Sequence, residues 1–186
     1  MTEPRSIEGF AIVSADGMLA DANRVIPQGM IVPADQEFFH GSLANAALVV
    51  HGRHSHEGGP HAHERHRLVV TSRVSSLAPN PTYPKSLLWN PNGASLHEAW
   101  SELGAPTGPC AVIGGGAVYD LFLDIGYDAF HLSCAPNVRL PGGRPMFGDI
   151  LRGRTPEEIL ASHGLVPGPV RLLDRSSGAT LTTWRR

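Results

Sequence analysis

"CAVIGGGAVYDLFLDIG", residues 110–126, is the stretch whose reading decides the fold. Cys110 to Ile113 form a short, unbroken apolar run, the pattern of a strand buried on both faces. Gly114, Gly115 and Gly116 end it, and AVYDLFLDIG (117–126) reads as the helix that follows, stopped by Gly126. A buried strand that turns through glycines into a helix is the unit of a parallel α/β sheet, whose ligands gather at the carboxyl ends of strands. The glycines let a ligand come close to the backbone, and the helix start offers amide donors. This is not the GxGxxG fingerprint, because the spacing differs and the element lies late in the chain.

Outward from this unit, strands and helices alternate. IEGFAIVS (7–14) is a β-type run closed by the turn Ala15-Asp16-Gly17, and residues 18–32 read as irregular. PADQEFFHGSLANA (33–46) has Phe38, Phe39, Leu43 and Ala46 at helical spacing, with Pro33 and Asp35 suited to a first turn. ALVVHG (47–52), RLVVTS (67–72) and LLWN (87–90) read as strands, and SLHEAWSELG (95–104) as a helix. FHLSCA (130–135) is a further strand. TPEEILASHG (155–164) is a helix with Thr155 as N-cap and Glu158 at capping-box spacing. VRLLD (170–174) and ATLTTW (179–184) form a closing hairpin. The expectation is one α/β domain over residues 1–186, with a mixed, mostly parallel central sheet and an antiparallel C-terminal strand.

The 186-residue chain is 41% hydrophobic and 17% charged, which supports a packed core and excludes disorder. A formal net charge of −2 gives no electrostatic case for nucleic acid or an acidic membrane surface. No apolar run approaches a membrane span, and no signal-peptide core is present. Cys110 and Cys134 sit in apolar runs, as small buried hydrophobes of a reducing compartment do. These features point to a cytoplasmic protein acting on a small molecule, as a monomer or a homodimer.

Three strand ends carry residues suited to phosphate. Gly52-Arg53-His54-Ser55 follows ALVVH, Thr71-Ser72-Arg73 follows RLVV, and Ile113-Gly114-Gly115-Gly116-Ala117-Val118-Tyr119 follows the third strand. Asp35 either answers the helix dipole or puts a carboxylate in a pocket walled by Phe38 and Phe39. Six of the ten histidines crowd into HGRHSHEGGPHAHERH (51–66), which invites a metal reading. His56, His61, His63 and His66 surround Gly58-Gly59-Pro60, a turn poorly suited to fixing several ligands. Cofactor loop plus solvated loop is the preferred reading, with no metal.

Taken together, these segments resemble the dihydrofolate reductase superfamily, and the resemblance covers most of the chain. It implies that family's three-layer fold, with helices on both faces of the sheet, and NADPH as cofactor. PADQEFF looks like the family's Pro-Ala-Asp-x-x-x-Phe segment, so Asp35 would hold the substrate ring and Phe39 would pack on it. By the same likeness, Arg53 would serve the adenosine 2′-phosphate, Gly52, His54 and Ser55 the pyrophosphate, and Thr71, Ser72 and Arg73 further 2′-phosphate contacts. IGGGAVY (113–119) is similar to the element under the nicotinamide, which implies a cis peptide between Gly114 and Gly115. Ser133 matches the residue that hydrogen-bonds the pocket carboxylate, and Arg65 falls near the arginine that pairs with the folate α-carboxylate.

Some positions depart from the dihydrofolate reductase pattern. Ile12 replaces a small residue of the pterin pocket, and Gln28 stands near an expected tryptophan. SADGMLA (14–20) and PGGRPMFGDI (141–150) look more like the reductase domain of riboflavin biosynthesis, a sister branch. The expected activity is hydride transfer from NADPH to a pterin, foremost 7,8-dihydrofolate, with residues 15–32 as a lid hinged at Gly17 and Gly29. The alternatives are an aminopyrimidine or carbonyl reductase and, more distantly, a non-enzymatic metal-binding module.

Overall fold

The computed structural model describes residues 4–55, 58–59 and 61–186. In chain order the first elements are β1 (Ile7–Ser14), β2 (Met18–Ala20), α1 (Pro33–Ala44), β3 (Leu48–Gly52), β4 (His66–Val70), β5 (Leu77–Pro79) and β6 (Ser86–Trp89). The rest are α2 (Leu96–Glu102), β7 (Cys110–Val112), α3 (Gly116–Ile125), β8 (Ala129–Ala135), β9 (Arg144–Pro145), α4 (Pro156–Ser162), β10 (Val166–Leu172) and β11 (Thr180–Arg185).

One nine-stranded sheet runs in the order β10-β11-β8-β1-β7-β3-β4-β6-β5. Its middle strands, β8 to β6, are parallel. The C-terminal hairpin adds β11 and β10 antiparallel at one edge, as the sequence leads one to expect. At the other edge lies a strand that the sequence reading missed. β5 pairs antiparallel with β6, and its Pro79 is tolerated because an edge strand can spare a donor.

Side chains alternate between two unequal faces. Leu48, Val50, Leu68, Cys110, Val112, Phe130 and Leu132 meet Trp100 of α2, Phe122 of α3 and Ile159 and Leu160 of α4 in the main core. Phe10, Val49 and Ala111 face the other way, where Leu43 of α1 closes a small cluster with Phe38, Phe39 and Ile113 at its margin. Helices thus cover both faces, and the small one carries α1 with Asp35 in its first turn.

Residues 18–32 are less irregular than expected. Met18 and Ala20 are buried and pair with the short strand β9, and Gln28–Met30 form a turn of 3₁₀ helix. Three residues are too few to show a period, which is why β2 could not be seen in the sequence. Asp16 ties this region down: it accepts from the Leu140 amide at 3.0 Å and the Ser14 hydroxyl at 2.6 Å. Gly17 packs with positive φ against Ile150, and a side chain at Gly29 would meet Val138 at 2.8 Å. The segment outside these anchors narrows to residues 21–27.

The capping box at Thr155 forms as read: the Glu158 amide donates to Thr155 Oγ1 at 3.2 Å, and the Thr155 amide to Glu158 Oε2 at 2.9 Å. Ser95 and Glu98 make the same exchange at the start of α2. Gly9 is the tightest point of β1, since a Cβ there would lie 2.3 Å from the Phe130 ring and 2.9 Å from that of Tyr127. Gly9→Ala should therefore lose on the order of 3 kcal/mol in urea unfolding, because a buried ring must move. Thr155→Ala should lose only about 1 kcal/mol.

Candidate active site

At the carboxyl edge of the sheet, the ends of β3 and β7 come together through glycines. The Gly52 amide donates to the Gly114 carbonyl at 2.7 Å. The Gly114–Gly115 peptide is cis, as the resemblance implies. A Cβ on Gly114 would press on the Tyr119 ring at 3.0 Å, one on Gly115 would meet Ser55 Oγ at 3.2 Å, and one on Gly116 the Pro145 carbonyl at 2.6 Å. Gly116, whose Cβ would strike backbone, and Gly114, at φ +104, have no room for a side chain where 52–55, 113–116 and 145 converge. Behind it, α3 starts, and the first amides of a helix have no acceptor within it.

Arg53 and His54 are exposed and Ser55 is half-buried, in a turn closed by the Ser55 amide on the Gly52 carbonyl at 3.2 Å. Gly52 and Val70 are register partners, so the loops carrying Arg53 and Thr71-Ser72-Arg73 leave neighbouring strand ends. Thr71 is buried and its Oγ1 accepts the Arg73 amide at 3.2 Å, while Ser72 and Arg73 face solvent. Two guanidinium groups, hydroxyls and a glycine-lined helix start make an edge suited to phosphate esters.

Asp35 stands on the small face of the sheet, where the Ser133 hydroxyl donates to its Oδ1. Ser133 is 1% exposed and is the register partner of Ile12. Burial pushes the Asp35 carboxyl above the usual carboxylate range, and the Ser133 hydrogen bond offsets part of that rise. Phe39, one turn further along α1, lies 6.2 Å from the Phe10 ring. A carboxylate held in an apolar wall recognises an N–H-rich or cationic group that enters beside it.

The structure therefore gathers the sequence-assigned residues into two neighbouring sets. Asp35, Ser133, Ile12 and Phe39 share the small face; Gly52–Ser55, Thr71–Arg73 and Ile113–Tyr119 share the carboxyl edge. Tyr119 is 2% exposed with its hydroxyl donated to the Phe10 carbonyl, and Val118 is 3% exposed, so both brace the loop from behind. Arg65 stands apart: it precedes β4, whose first residue is level with Ile7 across the sheet, roughly 20 Å from the Asp35 end.

The described histidines do not gather. Among the described residues no three His, Cys, Asp or Glu side chains are placed to hold a metal ion. His61 is exposed and lies 3.2 Å from Glu64, His63 packs against Tyr83 at 5.0 Å, and His56 is outside the described residues. The sequence reading missed two polar groups of the small face. Arg67, at the start of β4, is fully buried and donates to His51 Nε2 at 2.8 Å. His131 stacks on Phe10 at 4.6 Å and binds Glu8 at 3.1 Å, holding that carboxyl below its ordinary range. A charged or imidazole residue inside a β-type run was the only signal available for either.

Comparison with known proteins agrees with this geometry at the level of fold. A protein assigned to riboflavin biosynthesis from Shewanella sp. PV-4 superposes with a TM-score of 0.67 at 19% identity, over 97% of this chain and 98% of that one. A pyrimidine reductase-like protein from Corynebacterium diphtheriae gives 0.65 at 16%, over 97% and 91%. Dihydrofolate reductase from Enterococcus faecalis, complexed with NADP(H) and RAB-propyl, gives 0.56 at 16%, over 97% and 96%. No family model matches the sequence, and neither does any curated protein. The chain has the dihydrofolate reductase-like fold.

Because the folded-state pKa of Asp35 is raised, the folded protein holds its proton more tightly than the unfolded chain. Asp35 then costs stability once pH rises through the window between its ordinary and raised values, and costs nothing below it. Asp35→Asn, which keeps an acceptor for Ser133, should raise Tm at neutral pH and leave it unchanged well below that window. Thermal unfolding of both proteins across pH checks this.

Proposed function

We propose that this chain is an NADPH-dependent reductase that transfers hydride to a C=N bond of a small nitrogen heterocycle, with a pterin such as 7,8-dihydrofolate as its acceptor. The observation that carries the reading is the part-buried Asp35–Ser133 pair on the small face, beside a phosphate-suited glycine edge. The cofactor fits the residues present. Glycines at 52 and 114–116 bring the Ser55 turn against the start of α3; there Ser55 and the first turn of α3 would hold the pyrophosphate, and Arg53, Thr71, Ser72 and Arg73 the 2′-phosphate. When bound, NADPH supplies the hydride from its nicotinamide ring.

The chain's own residues bind, orient and exclude water. Asp35 would accept hydrogen bonds from the amino and ring N–H groups of the acceptor, and Ser133 would fix the carboxylate in that orientation. Its negative charge favours the protonated imine, the form that accepts hydride, without touching the reacting carbon. Phe39 and Ile12 would pack on the ring and keep solvent from the carboxylate, while solvent delivers the proton at the open side.

A second reading has specific support. Ile12 lies in register with Ser133, so a branched side chain intrudes where a wide pterin would sit, and a narrower aminopyrimidine of the riboflavin type would fit better. The 141–150 segment, whose Pro145 carbonyl abuts Gly116, carries the riboflavin-type sequence, and two of the structural neighbours bear riboflavin or pyrimidine reductase names.

Mixing the protein with NADPH and either dihydrofolate or a ribosylaminopyrimidine phosphate, and following loss of reduced-nicotinamide absorbance, tests both readings. Asp35→Asn should lower turnover by about two orders of magnitude or more, with NADPH affinity nearly unchanged. Its expected higher stability separates loss of chemistry from loss of fold. Oxidation with neither acceptor, or equal losses of turnover and NADPH affinity in the variant, would remove the role given to Asp35.

A further inference from the structure

We propose that His51 and Arg67 form a positioning pair that sets the backbone of the cofactor turn through one fixed imidazole tautomer; this rests on the reading of residues 52–55 as a cofactor site. The two side chains are 2% and 0% exposed and extend from adjacent parallel strands, β3 and β4. Arg67 Nη1 lies 2.8 Å from His51 Nε2, Arg67 Nη2 donates to the Ala62 carbonyl at 2.8 Å, and the guanidinium sits 4.9 Å over the Tyr83 ring. On its other side, His51 Nδ1 lies 2.7 Å from the Gly52 carbonyl.

These contacts determine where the proton is. A guanidinium has donors only, so Nε2 must accept. A carbonyl accepts only, so Nδ1 must carry the hydrogen and donate to Gly52. His51 is therefore the neutral Nδ1–H tautomer, and a doubly protonated ring would set one N–H against another. The Gly52 carbonyl also receives the Ser55 amide at 3.2 Å, which closes the Gly52–Ser55 turn, and the Gly52 amide donates to Gly114 at 2.7 Å. A chain of hydrogen bonds thus runs from Arg67 through His51 to the peptide from which Arg53, His54 and Ser55 are presented. His51 reaches this turn through the Gly52 carbonyl, and Arg67 acts on it through His51.

The test combines affinity with tautomer. NADPH binding is measured by fluorescence for the wild type and for His51→Leu, His51→Asn and His51→Gln, and long-range ¹H–¹⁵N spectra report the His51 tautomer. Loss of the hydrogen bond to Gly52 should weaken NADPH about tenfold in His51→Leu. His51→Asn, which keeps a donor near the Nδ1 position, should recover most of that, and His51→Gln, which keeps only the Arg67 acceptor, should recover less. The wild-type spectrum should show the Nδ1–H form, and Arg67→Met should lose that fixed pattern. Should His51→Leu fail to fold, the Asn-against-Gln comparison and the wild-type spectrum decide alone. Equal NADPH affinity in all folded variants, or an Nε2–H ring in the wild type, overturns the positioning role. Failure of the wild type to bind NADPH removes the cofactor reading on which that role depends.

Discussion

The structure depends on a close approach between two backbones. Where β3 and β7 end side by side, the Gly52 amide meets the Gly114 carbonyl at 2.7 Å, and on the β7 side Gly115 and Gly116 carry no side chain that could hold the two apart. Everything at the carboxyl edge is arranged around that contact. Ser55 reaches Gly115, Pro145 reaches Gly116, and the Tyr119 ring sits beneath Gly114. Side chains in this layer would push the 52–55 turn away from the start of α3 and leave two unrelated loops in place of one edge.

The two faces of the sheet divide stability from chemistry. The broad face, packed by three helices, holds most of the large buried side chains, including Trp89, Trp100, Phe122 and Phe130. The narrow face has one helix and a small cluster around Phe10 and Leu43. Polar groups collect on the narrow face: Asp35 with Ser133, His51 with Arg67, His131 with Glu8. Burying such groups is costly unless each finds a partner, and here each has one. A thinly packed face whose polar side chains are held in pairs can admit a polar ligand without exposing the main core.

The two sets of residues divide the work under the proposed function. On that reading the glycine edge and its arginines would hold the cofactor phosphates, whereas the narrow face would meet the acceptor. Ile12 is the register partner of Ser133, and on that reading a change in its branched side chain would alter which ring fits. At identities of 16–19%, the structural neighbours share the fold with this chain, and a shared fold does not by itself set what is bound.

Much of the fold was legible because its signals are local. Unbroken apolar runs marked the parallel strands, a Thr-to-Glu spacing marked the start of α4, and the triple glycine marked the junction of β7 and α3. β2, β5 and β9 escaped because two or three residues have no period, and Pro79 argues against a strand at Leu77–Pro79. Ser133 and Asp35 could be named from a resemblance, yet their contact spans 98 residues and exists only through the sheet. Arg67 carried no role in the sequence beyond opening the strand RLVVTS, whereas register with β3 turns it inward onto His51. Residue order by itself determined which elements form, since helix caps, glycine turns and apolar runs act over a few positions. Only the tertiary structure decided which polar groups are buried and with whom, because burial and pairing depend on strands far apart in the chain.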